Sequence, residues 1–259
     1  MKALGAVLLA IAALASFQAV AKDSVLIAAA ADLTFCLDKI ILDFRQAHRD
    51  ATVDVSYGSS GNFAAQIRQN APFDLFFSAD ADYPRNLAAD GFAGSPVVAY
   101  AVGRIVLWSA TLDASKLRLT DLERADIVRV AIANPLHAPY GKRAQEALQA
   151  SAMWDKVQPK LVFGENIAQT AQFAQSGSVQ VGIIALSLAR SPELAAQGAY
   201  YLIPDSLHAP LNQAFIVTRH GAENRLARQF ADYIQSPAAR KVMRASGFGL
   251  PGEASGTAH

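Results

Sequence analysis

Cysteine occurs once in 259 residues, at Cys36, which excludes an internal disulfide and any multi-cysteine zinc site. A charge excess is also missing: 23 Lys and Arg stand against 22 Asp and Glu, a formal net charge of +1. Such a balance offers no broad cationic face to nucleic acid or anionic lipid. His48, His137, His208, His220 and His259 show no H-E-x-x-H or paired spacing, so a transition-metal site has little support. No nucleophile elbow is present, because Gly58-Ser59-Ser60-Gly61 has the wrong spacing for G-x-S-x-G. Gly141-Lys142 lacks both the upstream glycine and the hydroxyl of a P-loop. Gly247 to Gly252 matches G-x-G-x-x-G but follows a helical stretch near the end of the chain, where the motif has no strand before it and no helix after it.

Long apolar runs are absent except at the N-terminus. Met1-Lys2 is followed by an almost wholly apolar stretch from Ala3 to Phe17, and Ala19-Val20-Ala21 has the small residues of an A-x-A cleavage site. The run is shorter and more Ala-rich than the ~20 apolar residues of a bilayer span. It is expected to be an export signal removed after Ala21, leaving a periplasmic mature chain. Cys36 falls on an apolar helical stripe and is expected to be a small core residue.

The mature chain alternates strand and helix patterns. Ser24–Ala31 predicts a buried strand, and Leu33, Leu37, Ile40, Ile41 and Phe44 recur at helical spacing behind it, with Asp32 at the N-cap. Strands are predicted at 52–56 and 73–78, each followed by a helix; Asp80 and Asp82 are expected to open the second of these rather than to bind a cation. A β-rich stretch over 97–108 leaves this unit. Strands at 128–133, 160–163 and 180–186 form a second series with helices at 141–151 and from Asn166. Segments 200–203 and 213–218 are expected to lead back, and helices at 225–235 and 237–246 close the chain. The order predicts two α/β lobes, each a mainly parallel sheet flanked by helices. Residues 22–102 with 206–259 are expected to form one lobe, and 103–205 the other.

Ligands of such sheets bind beyond the carboxyl ends of strands, where helices begin. Four strand-to-helix turns there carry donors and few cations: Ala30 to Leu33, Gly58 to Asn62, Ala138 to Gly141 and Gly164 to Ile167. Helix N-termini have free N–H groups and partial positive charge, so they bind anions without Lys or Arg. Taken singly, each turn is explained as well by ordinary capping. Four in one two-lobed chain favour a shared site.

At these turns the chain resembles the periplasmic molybdate-binding proteins, the solute receptors of molybdate ABC transporters. The matching stretches are Ala28 to Leu33, Ser56 to Gly61, Ala71 to Asp80, Asn134-Pro135 with Ala138 to Gly141, Glu165 to Gln169, and Gly182 to Ser187. The resemblance implies a non-enzymatic receptor of the two-lobed periplasmic-binding-protein fold, holding molybdate or tungstate between its lobes and delivering it to a membrane permease. It implies no cofactor, no nucleic-acid partner and a monomer. Carried over by position, the ligand-binding residues are Asp32, Ser60, Tyr140 and Ile167, with Ala31, Ser59 and Ala185 as secondary positions. Tyr140 and Ile167 are expected to act through backbone N–H groups. Some members use a tyrosine hydroxyl near the position of Ala185, and Tyr140 is the candidate replacement.

Asp32 departs from the family pattern of a hydroxyl or amide in the first turn. Two unit charges ~4 Å apart at an effective dielectric of ~20 repel by ~4 kcal/mol, so the carboxylate is expected to turn away and cap its own helix. The other possibility is a protonated Asp32 that donates a hydrogen bond and makes binding pH-dependent. An inward carboxylate would instead suit hydrogen phosphate. The same turns could also serve a sulfate receptor, a receptor for a small organic anion using Lys142 or Arg143, or a secreted hydrolase built on Ser60.

Overall fold

A computed structural model describes residues 24–253. The expected export signal at 1–21 lies outside the described residues. The β-branched and aromatic runs separated by amphipathic helices build two sheets of five strands. The first contains β1 (Ser24–Ala30), β2 (Thr52–Gly58), β3 (Leu75–Ser78) and β4 (Val98–Gly103). In the second are β5 (Ile105–Ser109), β6 (Val130–Ala133), β7 (Leu161–Gly164), β8 (Val181–Ala185) and β9 (Ala199–Leu202), after which β10 (Leu211–Val217) rejoins the first. Their orders are β2-β1-β3-β10-β4 and β7-β6-β8-β5-β9.

Both sheets are mainly parallel. β10 alone opposes its four companions in the first sheet, and β5 alone in the second. The segment at 200–203, expected to lead back, instead pairs as β9 along β5 and ends the second sheet; β10 makes the return alone. The sequence could not separate the two, because both are short apolar runs and only tertiary pairing assigns them.

The parallel strands align the carboxyl ends that carry the site. Ala30 lies opposite Gly58, and Ala133 opposite Gly164. From these ends spring α1 (Thr34–Ala47), α2 (Ser60–Arg68) and α3 (Asp82–Ala89) in one lobe. In the other lobe they are α4 (Pro139–Ala150), which the short α5 (Trp154–Val157) follows, α6 (Ile167–Gln175) and α7 (Leu186–Ala189), with α8 (Pro192–Gln197) next. α9 (Arg225–Ile234) and α10 (Pro237–Ala245) pack back on the first sheet, where Phe44, Phe77, Phe215 and Phe230 fill its core together with Cys36. Burying one such side chain contributes about 1.5–3 kcal/mol. Ala30, Ala31 and Ala79, at the strand ends of the first lobe, join the core of the second, so the lobes meet through apolar contact as well as hydrogen bonds. Among the described residues, no helix is long and apolar enough to cross a membrane.

Candidate functional site

The four turns singled out in the sequence meet at one cavity between the sheets. It is lined by Ala30, Ala31, Asp32, Ser59, Ser60 and Ala79 from one lobe and by Ala138, Pro139, Tyr140 and Ile167 from the other, and its volume is about 10 Å3. No lysine, arginine or histidine lines it. Ala185 is fully buried at the end of β8 and does not reach the lining.

Each turn exposes its donors for a local reason. Ser60 opens α2, where first-turn amides have no intrahelical acceptor. The next amide, of Gly61, is spent across the cleft on the carbonyl of His137 at 2.9 Å, which leaves that of Ser60. Ser60 Oγ accepts from the Ala79 N–H at 3.0 Å, so its own proton is available to an acceptor in the cavity. At α6, Asn166 Oδ1 accepts from the N–H groups of Ala168 and Gln169, both at 3.0 Å, and the Ile167 amide is the one left over. Pro139 occupies the first position of α4, with no N–H to give, and places the Tyr140 amide next. The amides of Ser60, Tyr140 and Ile167 find no protein acceptor among the described residues.

Asp32 corrects the expectation made for it. It does not cap the helix: α1 begins at Thr34 behind a 3-10 turn over Ala31–Leu33, and neither segment has a side-chain cap. Its carboxylate instead points into the junction between lobes, where Oδ2 accepts from Tyr140 Oη at 2.9 Å and Gln213 Nε2 at 2.7 Å. Tyr100 Oη donates to Gln213 Oε1 at 2.6 Å and so orients that amide. From the second lobe, Ser187 Oγ donates to the Asp32 carbonyl at 2.7 Å. The signal that misled is the Asp at a strand–helix junction, which in an exposed turn caps; here two buried donors outbid the helix end. Burial pushes the Asp32 carboxyl up to about 6, and the bonds from Gln213 and Tyr140 only partly offset it. Burial also raises Tyr140 and Tyr100 well above the ordinary phenol range.

Gln213 and His137 were not singled out by sequence. Gln213 lies on a strand apparent only as an apolar run, and nothing local reveals that it reaches Asp32. His137 sits at the cleft mouth, its Nδ1 3.0 Å from Ser59 Oγ, while Asn62 Nδ2 donates across the same mouth to Glu165 Oε1 at 2.6 Å. Tyr140 meets Asp32 because β4 ends in glycine: a Cβ on Gly103 would lie 2.3 Å from Tyr140 Oη and 2.7 Å from Gln213 Nε2. The Tyr140 side chain is thus committed to Asp32 and Gln213, and its backbone N–H is the group left for a ligand. Lys142 does not line the cavity, and Arg143, on α4, spends its guanidinium on Glu146 at 2.6 Å and Asp80 at 3.5 Å.

Comparison with known proteins adds an independent line. Residues 25–249 match the family described as bacterial extracellular solute-binding protein. The molybdate-binding protein ModA of Rhodobacter capsulatus is 38% identical over 203 residues, covering 76% of this chain and 77% of that protein. Its counterpart from Azotobacter vinelandii is 35% identical over 252 residues, 96% of each chain. The solved periplasmic molybdate-binding protein of Azotobacter vinelandii superposes with a TM-score of 0.81 at 30% identity, covering 88% of this chain and 99% of that one.

Proposed function

Because the chain belongs to the bacterial extracellular solute-binding proteins, among relatives that bind molybdate, we propose that it is the molybdate receptor of an ABC transporter. In this reading the bare tetrahedral dianion sits in the interlobe cavity, held by the amides of Ser60, Tyr140 and Ile167 and by the Ser60 hydroxyl, with Ala31 and Ser59 beside it. The observation that carries it is the convergence of uncommitted amides from three helix N-termini on one cavity without a cation. Fixed dipoles of that kind stabilise an anion that only accepts hydrogen bonds, and they need no reorganisation when it arrives. Tungstate, of the same charge and shape, is the expected second ligand, and the cavity's small size discriminates among oxyanions by radius.

In this reading the two chain crossings, at Gly103–Arg104 and between Leu202 and Leu211, join the lobes and serve as the hinge. Closure follows from differential affinity, because only the closed form brings donors of both lobes to one ion. The closed form is the one handed to the membrane permease. The receptor itself catalyses nothing and needs no cofactor; it acts as an exported monomer.

Hydrogen phosphate is the second reading, favoured by one observation: the Asp32 carboxyl in the cavity wall is an acceptor that a protonated oxyanion would use. Thermal melting with molybdate, tungstate, sulfate and phosphate separates them. A ligand at 1,000 times its Kd stabilises by about 4.1 kcal/mol, and the shift is expected for molybdate and tungstate. A shift with phosphate alone would replace this assignment.

A further inference from the structure

Asp32 is the only carboxylic acid in the cavity wall, and no cation stands beside it there. Oδ2 takes two hydrogen bonds, while Oδ1 is buried with no partner among the described residues. The titratable groups that face the carboxyl are Tyr140 on α4, Tyr100 on β4 and Cys36 on α1, with neutral Gln213 on β10, while Ser187 on α7 donates to the Asp32 backbone carbonyl. None supplies a positive charge. Arg143 on α4 is paired with Glu146 and Asp80. An ionised Asp32 beside a dianion would therefore leave three negative charges in a buried volume with no counter-ion.

We propose that this receptor takes up one proton with each dianion and carries it on Asp32 Oδ1. The proposal rests on the oxyanion reading above and specifies its chemistry. One O–H bond forms, the proton comes from solvent, and no other reactant is needed. The acid then becomes a further donor in a site otherwise made of amides and a hydroxyl. Burial already raises Asp32 to about 6 before any anion enters, and a like charge alongside raises it further. Affinity is therefore expected to fall by a factor approaching ten per pH unit above that value, ~50-fold between pH 6 and 8. Asparagine is the isostere of the protonated acid: its carbonyl can accept from Tyr140 and Gln213, and its N–H₂ stands where the acid holds its proton.

The test is calorimetric titration of the mature chain with sodium molybdate at pH 6, 7 and 8, repeated at pH 8 in two buffers of different ionisation enthalpy. Wild type is expected to weaken as stated and to absorb about one proton per anion at pH 8. Asp32→Asn is expected to bind with pH-independent affinity, ~100-fold tighter than wild type at pH 8, and to absorb none. Ser60→Ala should bind more weakly yet keep the wild-type pH slope. Wild-type affinity that is flat over this range, with no buffer-dependent heat, overturns the proposal whether or not the Asp32 variant folds, and leaves the oxyanion reading standing. Absence of molybdate binding at every pH overturns both.

Discussion

Ser60→Ala removes two interactions that different measurements can read separately. The side chain is 1% exposed, and Oγ accepts from the Ala79 amide at 3.0 Å. In the ligand-free protein the substitution leaves that buried N–H without an acceptor, at a cost of ~1–3 kcal/mol. For a chain of this size each kcal/mol lowers Tm by roughly 2–4 °C, so the ligand-free variant is expected to melt ~2–12 °C lower. In the complex the same change deletes a charge-assisted O–H donor worth ~1.5–3 kcal/mol, or roughly 10- to 100-fold in Kd. Ser59→Ala is the control, since Ser59 Oγ lies 3.0 Å from His137 Nδ1 at the cleft mouth; it is expected to weaken binding several-fold less. Scanning calorimetry without ligand and titration with molybdate give the two quantities. A variant that melts lower but binds molybdate within twofold of wild type would show that Ser60 only braces the β3 end, and the donor role assigned to it would be wrong.

Three further outcomes follow from the geometry. Tyr140→Phe removes the hydroxyl that links Asp32 Oδ2 to the second lobe and accepts from Gln213 at 3.2 Å; a loss of about 1–2 kcal/mol in chemical denaturation is expected, with the amide of residue 140 still able to bind the anion. Gly141→Ala would place a Cβ 2.0 Å from the Ala133 carbonyl oxygen, a backbone atom that cannot swing aside, so α4 must shift, with stability falling by ~1–3 kcal/mol or more and molybdate affinity with it. The pH dependence of ligand-free stability has a definite sign at Asp32. A carboxyl raised from 3.8 to about 6 on folding contributes stability that is complete below pH 3.8 and is lost as pH rises through 6. That loss amounts to ~3 kcal/mol by pH 7 at 1.36 kcal/mol per unit. The stability difference between Asp32→Asn and wild type should therefore move in favour of the variant from pH 4 to 7, and a constant difference would contradict the burial of an ionisable acid there.

The sheets and the four turns were legible in sequence because they depend on local pattern. Short apolar runs mark β1 and β6, period-3.6 apolar spacing marks α1, and glycine, proline and serine mark where strands give way to helices. What escaped depends on contacts distant in the chain. Asp32 and Gln213 are separated by 181 positions and Asp32 and Tyr140 by 108, and no propensity distinguishes an aspartate that caps from one that accepts two buried donors. Ala185 was carried over from the family by position, whereas the tyrosine in this chain's cleft comes from α4 and turns its hydroxyl to Asp32. His137 escaped because its role at the cleft mouth exists only when the lobes face each other.

The central claim is that uncharged donors from two lobes enclose a small dianion, and a single titration of the mature chain at pH 6 tests it most directly. With molybdate, one tight site per chain is expected, and sulfate or phosphate added first should not diminish its heat. A molybdate titration that produces no binding heat, or one abolished by prior addition of phosphate, would contradict it.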